Sequence, residues 1–325
     1  MSNTENTVTA GKKKKLIVGT RGSALALVQA DMVEKLLGAK FPDIEIIRNV
    51  ISTTGDRRTD VPLNEVAKVD GVFDKGIFTK ELEIALEAGE IDLAVHSLKD
   101  VPTVLPEQFE ICSVLERAPV NDILITKEEG GLEGLKQGAT VATSSVRRQK
   151  MLQWLRPDIK LVDIRGNVPT RLRKLAESDS VDAIVLAEAG LVRLGYHALG
   201  EMQTEAGSVY GAMIDPEKFL PAAGQGCVGI EVRKGDAFTI SCLEEICHQP
   251  TFTRIIAERE FLRLLDGGCH TPVGVATQLF GDKILMEGIV FPEGEVVAEP
   301  YQAEASGNAD EPLKVAADLF AGLSI

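Results

Sequence analysis

The chain has 325 residues, 44% hydrophobic and 26% charged, with a formal net charge of −14. That balance excludes a disordered polyelectrolyte, and the negative field excludes a protein that grips nucleic acid or an anionic membrane through its bulk charge. Any anionic ligand must be held by a local cluster of Lys and Arg.

The length favours two or three domains, and with only 5% aromatics the cores must be aliphatic. Residues 1–14 are polar, lack an apolar h-region and end in lysines, so they read as a solvated, disordered tail. LIVGT (16–20) reads as a buried strand, and 23–37 carries Leu25, Leu27, Val28, Met32 and Leu36 at helical spacing. Residues 55–76 are charged and weakly periodic, and a loop that long is functional or disordered. Thr79 can cap a helix through Leu86, and IDLAV (91–95) follows as a strand. TVAT (140–143), KLVDI (160–164) and DAIVLA (182–187) are further strands, each followed by a helical pattern. This alternation predicts an α/β fold with a mostly parallel sheet and helices on both faces. LIVGTRGSALA echoes TVATSSVRRQK, and IDLAVHSLKD echoes VDAIVLAEAG, as two related α/β domains would.

After about Phe238 the pattern changes. Helical stretches at 239–247 and 252–265 lead into the loop DGGCHTPVG. Then come strand-like runs VGVATQLF, KILMEGIVF and EVVAEPYQA and a final helix at 311–323, together a small α+β domain. No apolar run approaches the roughly 18 residues needed to span a bilayer. The five cysteines form no CxxC pair, which disfavours structural zinc; Cys242 and Cys247, even with His248 adjacent, read as packing or surface thiols. Free thiols suit a reducing cytoplasm.

Ligands of open α/β sheets bind at the carboxyl ends of the strands. Here those ends carry Arg21, Lys99, Arg147, Arg148, Arg165, Arg171 and Arg193. Helix N-termini at Ser23, Ser145 and Pro169 would add backbone donors, with Pro169 suited to a first helical position. Arginine pairs bidentately with carboxylates, so the expected ligand is polyanionic and rich in carboxylates. Phosphate competes, but neither GxxxxGK[ST] nor GxGxxG is present. Asp100 stands among these cations. It reads either as a group that stabilises positive charge or moves a proton, or as a cap or partner for Lys99. Cys269 in DGGCH is either a nucleophile or an ordinary thiol. A non-catalytic anion binder with two α/β domains and a thiol hydrolase both remain open at this point.

The segments GTRGSALALVQA, TTGD, FTKELE, AVHSLKDVP, TSSVRRQ, RGNVPTRL, AEAGLVRLG, LPAAGQGCVGIE, AERE and GGCHTPVG resemble the porphobilinogen deaminase family over about 16–323. The resemblance implies two periplasmic-binding-protein-like α/β domains (15–116 with 220–237, and 117–219) and a third domain at 238–325. It implies a dipyrromethane cofactor joined by a thioether to Cys269. Four porphobilinogen units would add to it, each losing ammonia through a cationic azafulvene, before water releases hydroxymethylbilane. Asp100 matches the catalytic carboxylate. Ser97, Lys99, Asp100, Thr143, Ser144, Ser145, Arg147, Arg148, Arg165 and Gly166 match cofactor contacts. Arg21, Ser23, Gln29, Arg171, Arg193, Gln225 and Gly226 match substrate contacts, and Asp56, Lys75 and Phe78 match a lid. The resemblance also implies a cytoplasmic monomer in tetrapyrrole biosynthesis without metal, nucleic-acid or membrane partners. Residues 64–76, with Glu65 where relatives often have lysine, and 203–216 read as extended.

Overall fold

The computed structural model describes residues 14–57, 78–266, 272–292, 294 and 299–324. The first sheet is built from β1 (Lys15–Arg21), β2 (Glu45–Ile51), β3 (Leu93–Ser97) and β4 (Phe109–Val114), joined by β11 (Val228–Arg233) from much later in the chain, in the order β2-β1-β3-β11-β4. Side chains alternate across it as strand geometry requires. Leu16, Val18, Leu93 and Val95 meet Val33 and Leu37 of α1 (Ala24–Lys40) on one face. Ile17 and Ala94 meet Leu82, Ala85 and Leu86 of α2 (Lys80–Glu87) on the other. Ser23 caps α1, its Oγ accepting from Ala26 N at 3.3 Å. Thr79 occupies the cap position of α2 but makes no side-chain cap bond, because its own backbone is already helical (φ −112°, ψ −29°).

The second sheet contains β5 (Asp122–Thr126), β6 (Thr140–Ala142), β7 (Lys160–Val162), β8 (Ala183–Ala187), β9 (Gly200–Thr204) and β10 (Gly207–Met213), in the order β7-β6-β8-β5-β10-β9. Its helices are α3 (Val146–Leu155), α4 (Val168–Glu177) and α5 (Glu188–Arg193). The extended segment 203–216 contains most of the β9–β10 hairpin at this sheet's edge. The internal echo has a structural counterpart. β1 and β3 occupy in the first sheet the places that β6 and β8 occupy in the second, with β11 and β5 next to them.

Both sheets are mixed rather than mostly parallel. The pairs β2–β1, β1–β3, β7–β6 and β6–β8 are parallel. β11 runs antiparallel to β3 and β4, and β5 to β8 and β10. The reason is the crossover. β5 and β11 each enter a sheet directly from the other half of the molecule, without the helical connection that makes successive strands parallel.

Beyond β11, α6 (Ala237–Glu244) lies against β4 and gives Cys242 and Leu243 to the first core. α7 (Gln249–Leu264) and α8 (Pro312–Gly322) cover an antiparallel meander of β12 (Val273–Phe280), β13 (Lys283–Val290) and β14 (Tyr301–Asn308). Phe261, Val275, Ile284, Met286 and Leu319 fill its core. β14 begins at Tyr301 and takes in the last three residues of the run EVVAEPYQA, of which 295–298 lie outside the described residues. No helix among the described residues is long and apolar enough to cross a membrane.

Candidate active site

The two crossovers meet. Ala118 N donates to Gly226 O (3.1 Å) and Arg117 Nε to Gln225 O (2.9 Å). A Cβ at Gly226 would fall 2.5 Å from Ala118 O, and its φ of +80° also favours glycine. Such close backbone approach brings the end of β3, the start of β5 and the N-terminus of α3 together.

At this junction lies Asp122, a residue that sequence reasoning missed. Its carboxylate is fully buried. Oδ2 accepts from Arg147 Nη2 at 2.7 Å, while Oδ1 accepts from Arg148 Nη2 (2.6 Å), Arg148 Nε (3.1 Å) and Gln225 Nε2 (3.1 Å). Burial alone would raise its pKa, but Arg147 and Arg148 outweigh that and hold it at about 2. Both guanidiniums are themselves buried and also donate to backbone, Arg147 to Leu220 O (2.6 Å) and Arg148 to Val185 O (3.0 Å). Both arginines, expected from the sequence as cofactor contacts, are thus also engaged by an internal carboxylate. The signal available in the sequence was the acidic residue opening the aliphatic run DILIT.

Lys99 donates to Gln225 Oε1 at 3.3 Å. Burial and then Arg148 bring its pKa down to about 8, with Asp100 and Asp122 opposing. Burial, followed by Arg148 and Arg165, lowers Arg171 to about 10, again with Asp100 opposing. Asp100 is thus electrostatically shared by Lys99 and Arg171, at the end of the short 3-10 turn Leu98–Asp100.

Asp100 also lines a cavity of about 80 Å³ with Arg21, Ser23, Gln29, Phe78, Thr79, His96 and Ser97. Gln29 Nε2 donates to Ser97 Oγ at 2.8 Å, joining α1 to β3. The Arg21 guanidinium lies 4.1 Å from the Phe78 ring centroid. So the structure brings six of the expected residues, Arg21, Ser23, Gln29, Phe78, Ser97 and Asp100, into one cavity wall.

The remaining residues come from the second sheet. Thr143 is buried, and its Oγ1 accepts from Ser145 N (3.3 Å). Ser144 Oγ donates to Ile164 O (3.0 Å). Ser145 caps α3 by position but without a side-chain bond. Gly166, at φ +117°, turns its carbonyl to Arg171 Nε (2.7 Å), and Lys174 Nζ donates to Arg165 O (2.9 Å). α4 is capped by Asn167, whose Oδ1 accepts from Thr170 N (3.0 Å), so Pro169 is the second helical residue, not the first. Arg193 Nη2 donates to Gly226 O at 2.8 Å.

Cys269 and Lys75 lie outside the described residues, as does the side chain of Asp56. The elements bounding Cys269 are nonetheless tied to the crossover. Glu258 of α7 accepts from Arg117 Nη1 (2.5 Å) and Nη2 (2.9 Å), from Gly224 N (2.9 Å) and from Thr277 Oγ1 of β12 (2.5 Å). Val275 N donates to Pro221 O (2.9 Å). His248, read beside Cys247, caps α7 through Nδ1, which accepts from Thr251 N (3.3 Å).

Comparison with known proteins gives concordant matches. A family profile described as porphobilinogen deaminase, dipyromethane cofactor binding domain, matches residues 16–241, and that of the porphobilinogen deaminase C-terminal domain matches 252–321. The porphobilinogen deaminase of Desulforudis audaxviator (strain MP104C) is 45% identical over 301 residues, 92% of this chain and 91% of its own. That of Paracoccus denitrificans (strain Pd 1222) is 44% identical over 306 residues, 93% of this chain and 91% of its own. Among solved structures, the periplasmic aliphatic sulphonate binding protein SsuA from Escherichia coli is 15% identical. It covers 78% of this chain and 71% of its own, with a TM-score of 0.39, a likeness too distant to build on.

Proposed function

This chain belongs to the porphobilinogen deaminase family, and on that premise we propose how its side chains divide the work of joining pyrroles. The reaction condenses four porphobilinogen units head to tail on a cysteine-linked dipyrromethane, with loss of ammonia, and hydrolysis releases hydroxymethylbilane. By reaction class the enzyme is a transferase.

The donor set fits the cofactor. Each pyrrole carries an acetate and a propionate, and the junction gathers Lys99, Arg171 and Arg193, with Nε of Arg193 and Nε of Arg147 buried without hydrogen-bond partners among the described residues. When bound, the dipyrromethane supplies the pyrrole carbon onto which substrate is joined. Cys269 would carry it. Ser97, Lys99, Asp100, Thr143, Ser144, Ser145, Arg147, Arg148, Arg165 and Gly166 would hold it. Arg21, Ser23, Gln29, Arg171, Arg193, Gln225 and Gly226 would receive porphobilinogen.

The observation that carries this reading is Asp100, a carboxylate in a cavity wall and electrostatically coupled to Lys99 and Arg171. A fixed negative charge there stabilises the positive charge that grows on a substrate pyrrole as ammonia departs. The flanking cations hold the ring carboxylates, so the substrate's net negative charge is not repelled. The four described cysteines are free thiols, which supports work in a reducing cytoplasm.

Intact mass after acid denaturation tests the assignment. Wild-type protein should carry covalent pyrrole, and Cys269→Ser should carry none and be nearly inactive, since a hydroxyl is a far poorer nucleophile than a thiol at neutral pH. Pyrrole retained on Cys112, Cys227, Cys242 or Cys247 in that variant would overturn it.

A further inference from the structure

Beneath the assigned residues, the junction contains a chain of contacts that reaches Lys99 from the far side. Gln225 Nε2 donates to Val120 O at 2.7 Å and to Asp122 Oδ1 at 3.1 Å. Both partners can only accept, so they fix the amide with its nitrogen toward β5 and its oxygen toward Lys99 Nζ, 3.3 Å away. The same Asp122 oxygen takes two bonds from Arg148, and the other takes Arg147.

We propose that Asp122 is a positioning residue for the deaminase reaction, a resident carboxylate that locks Arg147 and Arg148 in place and, through Gln225, orients and electrostatically supports the Lys99 ammonium. The proposal rests on the deaminase reading for its use but on geometry for its existence. An ammonium faced by two guanidiniums is not readily kept protonated. Lys99 is faced by Arg147 and Arg148 from α3, by Asp122 from β5 and by Asp100 from its own turn. Asp122 offsets the α3 charges from behind, which leaves Asp100 available to the substrate.

Asp122→Asn breaks this arrangement in a definable way. An amide has one oxygen where the carboxylate has two. Set toward Arg148, the oxygen leaves Arg147 facing an NH2; set toward Arg147, it turns an NH2 against Arg148 and Gln225, and the Gln225 amide must rotate. Either way the negative charge is lost and Lys99 becomes easier to deprotonate. Gln225→Met removes the link to Lys99 while leaving the Asp122–arginine bonds in place.

The experiment titrates Lys99 in the holoenzyme. Its rate of acetylation by acetic anhydride is followed against pH by peptide mass, alongside the pH profile of kcat/KM. The wild-type midpoint, lowered by burial and Arg148 and raised by any cofactor carboxylate that Lys99 holds, is the reference. In Asp122→Asn and in Gln225→Met it should fall by about one pH unit, and any alkaline limb set by Lys99 should move with it. If Asp122→Asn fails to fold, Gln225→Met decides alone. An unchanged Lys99 midpoint in folded Gln225→Met, or in both variants, overturns the relay. Absence of covalent pyrrole from the wild-type protein would instead overturn the deaminase reading, and the Lys99 titration would still decide the relay.

Discussion

At the scale of single residues, Asp100 has the sharpest expected outcome. Asp100→Asn keeps the shape of the side chain and should retain fold and covalent pyrrole, yet lose on the order of 10²–10³ in rate, as loss of one preorganised electrostatic group does. The loss should fall on kcat more than KM, because the substrate's ammonium charge moves onto the pyrrole ring only as ammonia departs along the reaction path. Asp100→Glu keeps the charge and should lose less. Single-turnover rates normalised to pyrrole content check this; normal turnover of the loaded Asn protein would assign Asp100 to Lys99 as a structural partner. The cations around it were legible because each follows an aliphatic run that ends in a sheet edge. Their partners were not. Asp122 meets Arg147 from 25 residues away, and Glu258 meets Arg117 across 141, separations at which no local pattern reports pairing.

Helices and strands were read unevenly, for a physical reason. β1, β6 and β8 are aliphatic runs followed by helical spacing and lie within a residue of where that pattern put them, whereas β3 lies two residues later than the run 91–95 and leads into a 3-10 turn. β2 is a half-exposed edge strand interrupted by Arg48 and Asn49, so it offers no clean apolar run. β4 and β5 lead into or out of a crossover instead of a helix, and β9 and β10 form a peripheral hairpin, so the alternation that reveals the others is missing. The turn into α4 shows what local sequence does control. Gly166 supplies the positive φ, Asn167 the cap, and Arg171 then reaches back to the Gly166 carbonyl. Asn167→Ala should lower stability by about 1 kcal/mol, the usual loss for a cap of this type. Because the same turn anchors Arg171, KM for porphobilinogen should rise while kcat per loaded enzyme stays close to wild type. Thermal melts and steady-state kinetics on one preparation check both; an unchanged KM would detach Arg171 from substrate binding.

Across the whole molecule, the junction is held by two buried carboxylates, Asp122 and Glu258, and this sets how the protein responds to acid. For Glu258, burial works against the charged form, but Arg117, with bonds from Gly224 and Thr277, outweighs it and lowers the pKa. Asp122 is held at about 2. A carboxylate whose pKa is lower folded than unfolded contributes stability that is complete above its unfolded value, about 4. That contribution is lost as pH falls toward the folded value, since the unfolded chain then binds more protons. Stability should therefore fall steeply below about pH 4. Glu258→Gln should be less stable at pH 7, by about 3–5 kcal/mol, because the buried Arg117 guanidinium loses its counter-charge. It should also show a shallower decline in acid, because one of the carboxylates whose pKa is lowered on folding is gone. The single tryptophan gives a local probe. Trp154 of α3 packs edge-on against Phe291 after β13, centroids 6.1 Å apart, and donates to Glu299 Oε2 at 3.0 Å, so its emission reports whether the third unit remains docked on the second sheet. Urea unfolding of wild type and Glu258→Gln, followed by Trp154 emission and far-UV circular dichroism from pH 7 to pH 3, measures both effects. An acid slope in Glu258→Gln as steep as wild type would mean that the Arg117–Glu258 pair does not govern acid stability, and that the third unit is held on the second sheet chiefly by apolar contacts such as Ile289 and Phe291 against the α3 core.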